Sequence, residues 1–283
     1  MAAAPAFDLQ SHSTCSDGAL PPRAVVAAAA DAGVTLLALT DHDTVDGVDE
    51  ALQASAALDL RLVPAVELSA LDGEAEDMHI LGYLVDHRAP ALLDPLATFR
   101  ADRAARAVRM AEALRACGLQ LELPQRRSIG RPHLAQAAFD HPANRMRLAR
   151  EQIVNPSQLL EAYLVPGAPA YRTRTKPAVA EAIAIVHEAG GVAVWAHPFW
   201  DVHDPAQVLE TIDRFARLGI DGVEAFYRTH DAKQTRLVAR RCDELGLLAT
   251  GSADFHGPAH PLLNRFRAFE LYGLQPRLGP IAQ

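Results

Sequence analysis

Twelve histidines against three cysteines make imidazole, not thiolate, the abundant soft donor in this chain. Five of those histidines and three carboxylates fall in short polar segments beside apolar runs. His12 and Asp17 lie in DLQSHSTCSDG, His42 in ALTDHDT, and Glu67 in PAVELS. His79 opens MHILGY, His197 closes AGGVAVWAHP, and Asp254 and His256 lie in TGSADFHG. Taken singly each is weak, because a histidine beside a strand is usually hydrogen-bonded and an aspartate after one is usually a helix cap. Taken together they predict a multi-metal site, since imidazole with carboxylate and without thiolate suits Mn, Fe or Zn. The cysteines, Cys15, Cys117 and Cys242, are odd in number, widely spaced and without a CxxC pair. That excludes a disulfide scaffold and a thiolate zinc site and fits a reducing, cytoplasmic setting.

The elements that must position these groups follow a repeated rhythm of amphipathic helix, glycine and short apolar run. Helices are predicted over Pro22–Ala32, Pro177–Ala189, Pro205–Leu218 and Asp231–Leu245, each closed by glycine. Seven strands are predicted: Phe7–Gln10, Leu36–Thr40, Leu62–Val66, Met78–Leu84, Val192–Ala196, Gly222–Phe226 and Leu248–Gly251. The alternation implies parallel strands with covered faces. In such barrels chemistry collects at the carboxyl ends of the strands, which is where most of the polar segments fall.

The 283 residues carry 49% hydrophobic side chains, a mean hydropathy of zero and a net charge of −8. That balance supports a sizeable core, and it argues against a membrane span and against a basic duplex-binding face. No basic and apolar leader is visible in the first ten residues. The net charge hides an asymmetry. Residues 100–176 hold 14 basic and 6 acidic side chains, a local +8. A barrel over residues 1–85 and 177–283 is therefore expected to carry an inserted, Arg-rich helical lid over residues 86–176. Arg100, Arg103 and Arg106 on its Ala-rich helix read as a solvated face. Arg131, Arg172 and Lys176 flank the junctions and read better as phosphate contacts. Trp195 reads as core, whereas Trp200, in the loop beyond Pro198, could stack on a base or a ring.

These motifs, with GRPHLA in the insertion, resemble those of the PHP (polymerase and histidinol phosphatase) family of metal-dependent phosphoesterases over nearly the whole chain. The resemblance implies an α/β fold, a distorted (β/α)7 barrel holding two to three divalent ions (Mn, Fe or Zn). It implies one ion held by His12, Glu67 and Asp254. It implies a second on Glu67, His79 and His197, and a third on Asp17, His42 and His256. Gln10 stands where the family's first motif usually has a histidine, and its amide oxygen is the weaker ligand. The implied reaction is attack of metal-bound hydroxide on phosphorus near Glu67 and Asp254. His197, His133 and His230 are then candidates to protonate the leaving oxygen.

The expected substrate is a small phosphomonoester. The nucleoside 3′,5′-bisphosphate phosphatase and 5′–3′ exoribonuclease branch is favoured, with a nucleotide or short single-stranded RNA as ligand and Arg131, His133, Arg172, Lys176 and His230 binding it. The alternatives are a histidinol-phosphate-type phosphatase and, because of Gln10, a catalytically degenerate nucleotide- or metal-binding module.

Overall fold

Seven apolar runs become the seven strands of one sheet, in sequence order: β1 (Phe7–Asp8), β2 (Leu36–Leu39), β3 (Arg61–Asp72), β4 (Ala75–Tyr83), β5 (Val192–Trp195), β6 (Gly222–Tyr227) and β7 (Leu248–Ser252). The computed structural model describes residues 5–73, 75–125, 129–173 and 177–283. It divides into two compact units, Met1–Leu96 with Lys176–Gln283, and Ala97–Thr175.

The first unit is a nearly closed α/β barrel. The strands β1, β2 and β3 run parallel, as do β5, β6 and β7. The exception is β4, which pairs antiparallel with both β3 and β5 and corrects the expectation of parallel strands throughout. The physical reason is the connection. β3 and β4 are both longer than the predicted runs and only residues 73–74 separate them, with Gly73 in the left-handed region at φ +61°. So short a link can only reverse the chain, because a parallel return needs a crossover of a dozen residues or more. Closure comes from the other edge. Leu9 N donates to Gly251 O (3.2 Å), Phe255 N to Gln10 O (3.3 Å) and His12 N to Phe255 O (2.8 Å). These bonds zip the end of β1 to the end of β7 and bring two ligand segments side by side.

Helices cover the outside. Over β2, Val25, Val26 and Ala29 of α1 (Pro22–Asp31) and Ala51 of α2 (Val48–Ser55) join Leu37 and Leu39 in one buried cluster. After α3 (Pro90–Ala116), which runs on into the second unit, α7 (Val179–Glu188) lies so close to β4 that a Cβ on Gly82 would stand 2.8 Å from Val186. Phe215 of α9 (Pro205–Arg217) meets Trp195 of β5 edge-on at 5.2 Å between ring centroids. The start of α10 (Ala232–Leu245) is fixed by Asp231, whose carboxylate accepts from Lys233 N and Gln234 N, while the Gln234 side chain accepts from Asp231 N.

The second unit is helical: the rest of α3, then α4 (Arg131–Asp140), α5 (Arg145–Arg150) and α6 (Pro156–Tyr163). Its core includes Met110, Leu114, Leu119, Leu134, Leu148 and Leu159. The buried Asn144 side chain accepts from Gln120 N (2.8 Å) and donates to the carbonyls of Gln120 (2.7 Å) and Ala138 (2.6 Å), so the turn before α5 leaves no polar group stranded. No helix among the described residues is long and apolar enough to cross a membrane.

Candidate metal centre

Glu67 is the hub. It projects from the middle of β3, not from its end, and is fully buried. One carboxylate oxygen, Oε1, lies 2.9 Å from His79 Nδ1 and 3.3 Å from His197 Nε2. The other, Oε2, lies 3.0 Å from His12 Nε2 and 3.4 Å from His42 Nδ1. His12 Nε2 also stands 3.2 Å from Asp254 Oδ1. Asp17, the most exposed member, is 3.7 Å from His42 Nε2 and 3.6 Å from His256 Nε2. The imidazoles pack in a row: ring centroids are 4.2 Å apart for His12 and His256, 4.6 Å for His12 and His42, and 4.9 Å for His42 and His79. Thus all eight imidazole and carboxylate ligand candidates converge, and Gln10 reaches the same cluster through Glu67.

Local backbone geometry aims these groups. His197 (φ +29°) and Asp254 (φ +54°) sit in the left-handed region, which a residue with a Cβ enters only where its surroundings hold it. The Glu224 carboxylate supports the first by accepting from His197 N at 2.9 Å. Asp8 supports the second by accepting from Ala253 N at 2.9 Å. The loop bearing His12 and Asp17 is folded around Asp41, which accepts from Ser13 N (2.7 Å), Ser13 Oγ (2.6 Å) and Ser16 Oγ (2.6 Å). Gly18 closes that loop so tightly that a Cβ there would stand 2.1 Å from His12 O. His256 Nδ1 donates to Asp254 O at 2.8 Å, since a carbonyl only accepts, and this leaves Nε2 toward Asp17.

The donor set fits divalent cations. His12 Nε2, His42 Nδ1, His197 Nδ1 and Asp254 Oδ1 are buried without a hydrogen-bond partner, although carboxylate oxygens lie close to several of them. Groups that crowd together without hydrogen-bond geometry share a focus instead, as ligands do. The electrostatics agree. Burial works to raise Glu67, but His42 and His79 outweigh it and hold the carboxyl well below its ordinary range. Burial likewise opposes ionisation of Asp254, which His256 and His12 bring down to about 2. Burial would lower His12, yet Asp254 and Glu67 lift it well above the ordinary imidazole range. Burial pushes His42 down to about 4, which favours the neutral imidazole that a cation would need. Ionised carboxylates buried among imidazoles form a nest that calls for positive charge.

Around the cluster, Tyr227 donates to Asp254 Oδ2 at 2.9 Å. His230 is buried with Nδ1 against Ala225 O at 3.1 Å, so its proton sits on Nδ1 and Nε2 presents a lone pair without a partner. Trp195 is core, whereas Trp200, expected in a loop, lies in the short helix α8 (Pro198–Asp201) that begins at Pro198, and it is 46% exposed with its ring 6.1 Å from that of His197. In the second unit, His133 Nδ1 accepts from Gly130 N at 3.0 Å at the start of α4, where Arg131 is the first residue. The Arg172 guanidinium donates to Tyr171 O at 2.6 Å. Lys176, with Arg126, Arg127 and Arg174 of the same basic stretch, lies outside the described residues. The supporting groups Asp8, Asp41, Glu224 and Tyr227 were not singled out by sequence. A usable signal existed for Glu224, a lone acid inside the apolar strand GVEAFY.

A nearly closed seven-stranded barrel with imidazoles and carboxylates gathered about one buried glutamate defines a metal-dependent phosphoesterase fold. The PHP domain profile matches residues 8–125. The chain is 32% identical over 263 residues to a 3′,5′-nucleoside bisphosphate phosphatase of Chromobacterium violaceum, covering 89% of this chain and 87% of that one. It is 31% identical over 252 residues to a 5′-3′ exoribonuclease of Haemophilus influenzae, covering 89% and 90%. A solved structure from Chromobacterium violaceum, described as an amidohydrolase with bound sulfate and no metal, superposes with a TM-score of 0.77 at 30% identity, covering 92% of this chain and 94% of that one. The chain belongs to the PHP domain family. It is an enzyme of the metal-dependent phosphoesterase type.

Proposed function

We propose that this enzyme hydrolyses a phosphomonoester of a nucleoside 3′,5′-bisphosphate or of a short 5′-phosphorylated single-stranded RNA. The observation that carries the reading is the convergence of five imidazoles with three carboxylates, Glu67, Asp254 and Asp17. His12, Glu67 and Asp254 would hold one ion, Glu67, His79 and His197 a second, and Asp17, His42 and His256 a third, with Mn, Fe or Zn as the metals. Ions bound there supply charge neutralisation of the phosphoryl oxygens and acidified water. Glu67 and Asp254 keep their charge because the imidazoles stabilise it, and they orient the groups they touch. Tyr227 restrains Asp254 through one hydrogen bond. His230 Nε2 rests as a proton acceptor, so it takes a proton before passing one to a leaving oxygen; His197 is the other candidate for that transfer.

Trp200 favours a nucleotide over an aliphatic phosphate, because a half-exposed indole beside His197 offers a stacking surface. The names of the two relatives point the same way. Arg131, His133, Arg172 and Lys176 are assigned to substrate binding on their chemistry alone. The three widely spaced cysteines suit work in the cytoplasm. The test is a panel with added Mn(II): adenosine 3′,5′-bisphosphate, a short 5′-phosphorylated oligoribonucleotide and histidinol phosphate. A nucleotide substrate is expected to exceed histidinol phosphate in kcat/KM by at least about tenfold, which is 1.4 kcal/mol of transition-state binding. W200A should narrow that ratio by raising KM for the nucleotide. A preference for histidinol phosphate would overturn the substrate assignment.

A further inference from the structure

Gln10 occupies the one position where this chain departs from the ligand pattern that its motifs resemble, and the structure shows where its amide goes. The side chain is fully buried. Its Nε2 donates to Glu67 Oε2 at 3.1 Å. Its Oε1 lies 3.3 Å from Ser252 Oγ, and that hydroxyl lies 2.5 Å from Glu224 Oε1. The other Glu224 oxygen accepts from His197 N. One buried chain of polar contacts thus runs from Glu67 through Gln10, Ser252 and Glu224 to the backbone of His197.

The orientation of the amide is set by chemistry. The amide nitrogen is the atom that faces Glu67 Oε2, at 3.1 Å, and the amide oxygen is the atom that faces Ser252 Oγ, at 3.3 Å. The carbonyl oxygen, the only atom of Gln10 able to ligate a cation, is thereby turned to Ser252. Reversing the amide would set its oxygen against the Glu67 carboxylate and remove a buried hydrogen bond from it. We infer that Gln10 is a positioning residue for Glu67 and not a ligand, and that the ion position bordered by His12, Glu67 and Asp254 is one protein ligand short in this enzyme. The inference rests on the metal reading of the site. Its consequence is a centre with one ion more weakly held than the rest.

Counting bound Mn(II) by elemental analysis and by titration, on the full chain, tests this without reference to turnover. At saturating Mn(II), where a merely weakened site still fills, Q10A should keep the wild-type number of ions, while its metal-free form melts at lower temperature because Glu67 has lost a buried donor. Q10H should bind its weakest Mn(II) at least about tenfold more tightly than wild type, the scale on which metal-site changes are felt. Should Q10A fail to fold, Q10M, of similar length and without a donor, reads the same count. Loss of an ion in Q10A or Q10M, or unchanged affinity in Q10H, would overturn the assignment of Gln10 alone. A wild type that takes up no ion would instead overturn the metal reading, and this inference with it.

Discussion

Asp41 accepts three short hydrogen bonds from Ser13 and Ser16, and the loop that carries His12 and Asp17 is wound on it. Ligands held on loops depend on such support, and its removal commonly costs ~10–100-fold in metal affinity. Asp41→Asn keeps the size but turns one acceptor into a donor facing Ser13. A Mn(II) titration should show affinity falling by about that factor, and unchanged affinity would contradict the supporting role. The ligand candidates themselves were legible in the sequence because histidine and acid beside an apolar strand are out of place there. Their supports were not. Nothing in the sequence sets Asp41 apart from its neighbour His42, because its partners lie 25–28 residues away. Glu224 was absorbed into the strand it interrupts, because its partners Ser252 and His197 lie some 27–28 residues away in sequence. The orientation of Gln10 was invisible for the same reason, since it depends on Ser252, 242 residues distant.

At the scale of elements, apolar runs revealed all seven strands but not their directions. Strand direction is a property of the connection, and the reversal into β4 follows from the two residues between Asp72 and Ala75. The basic character of residues 100–176 is plain in the sequence, but the role of each arginine is not. Arg147 lies against α6: its guanidinium donates to Glu151 (2.7 Å) and to the Tyr163 hydroxyl (3.1 Å), while Tyr163 donates to Glu151 at 2.6 Å. The Tyr163 hydroxyl, with help from Arg147, holds Glu151 below the ordinary carboxylate range against the opposing effect of burial. A carboxyl lowered in the folded state adds stability above its ordinary pKa and loses it as pH falls through the folded value. E151Q should therefore melt lower than wild type at pH 7, by the ~2–4 °C that about 1 kcal/mol represents in a chain of this size. The gap should close in acid, once pH falls through the lowered folded value and the wild-type carboxyl is also neutral. A gap that persists unchanged in acid would contradict the ion-paired role.

For the whole molecule, the net charge of −8 joins two unlike parts. Among its acids, Glu67 and Asp254 are buried in the histidine-rich cluster, where cations, if bound, would offset them. Part of the positive insertion is taken up internally, since Arg115 donates to Leu121 O, Arg106 to Arg172 O and Arg147 to Glu151. Composition argues against a basic duplex-binding face, but it does not separate the arginines that brace helices from any that are free to meet a substrate. The central claim is that phosphoester hydrolysis depends on cations gathered about Glu67. Its most direct test is inorganic phosphate release from adenosine 3′,5′-bisphosphate by chelator-stripped protein, before and after Mn(II) is restored, with Glu67→Gln alongside. The account predicts no release from the stripped wild type, recovery on adding Mn(II), and a loss of at least about 10³-fold, some 4 kcal/mol, in the variant under the same conditions. Full activity in the stripped protein, or an E67Q variant as active as wild type, would contradict it.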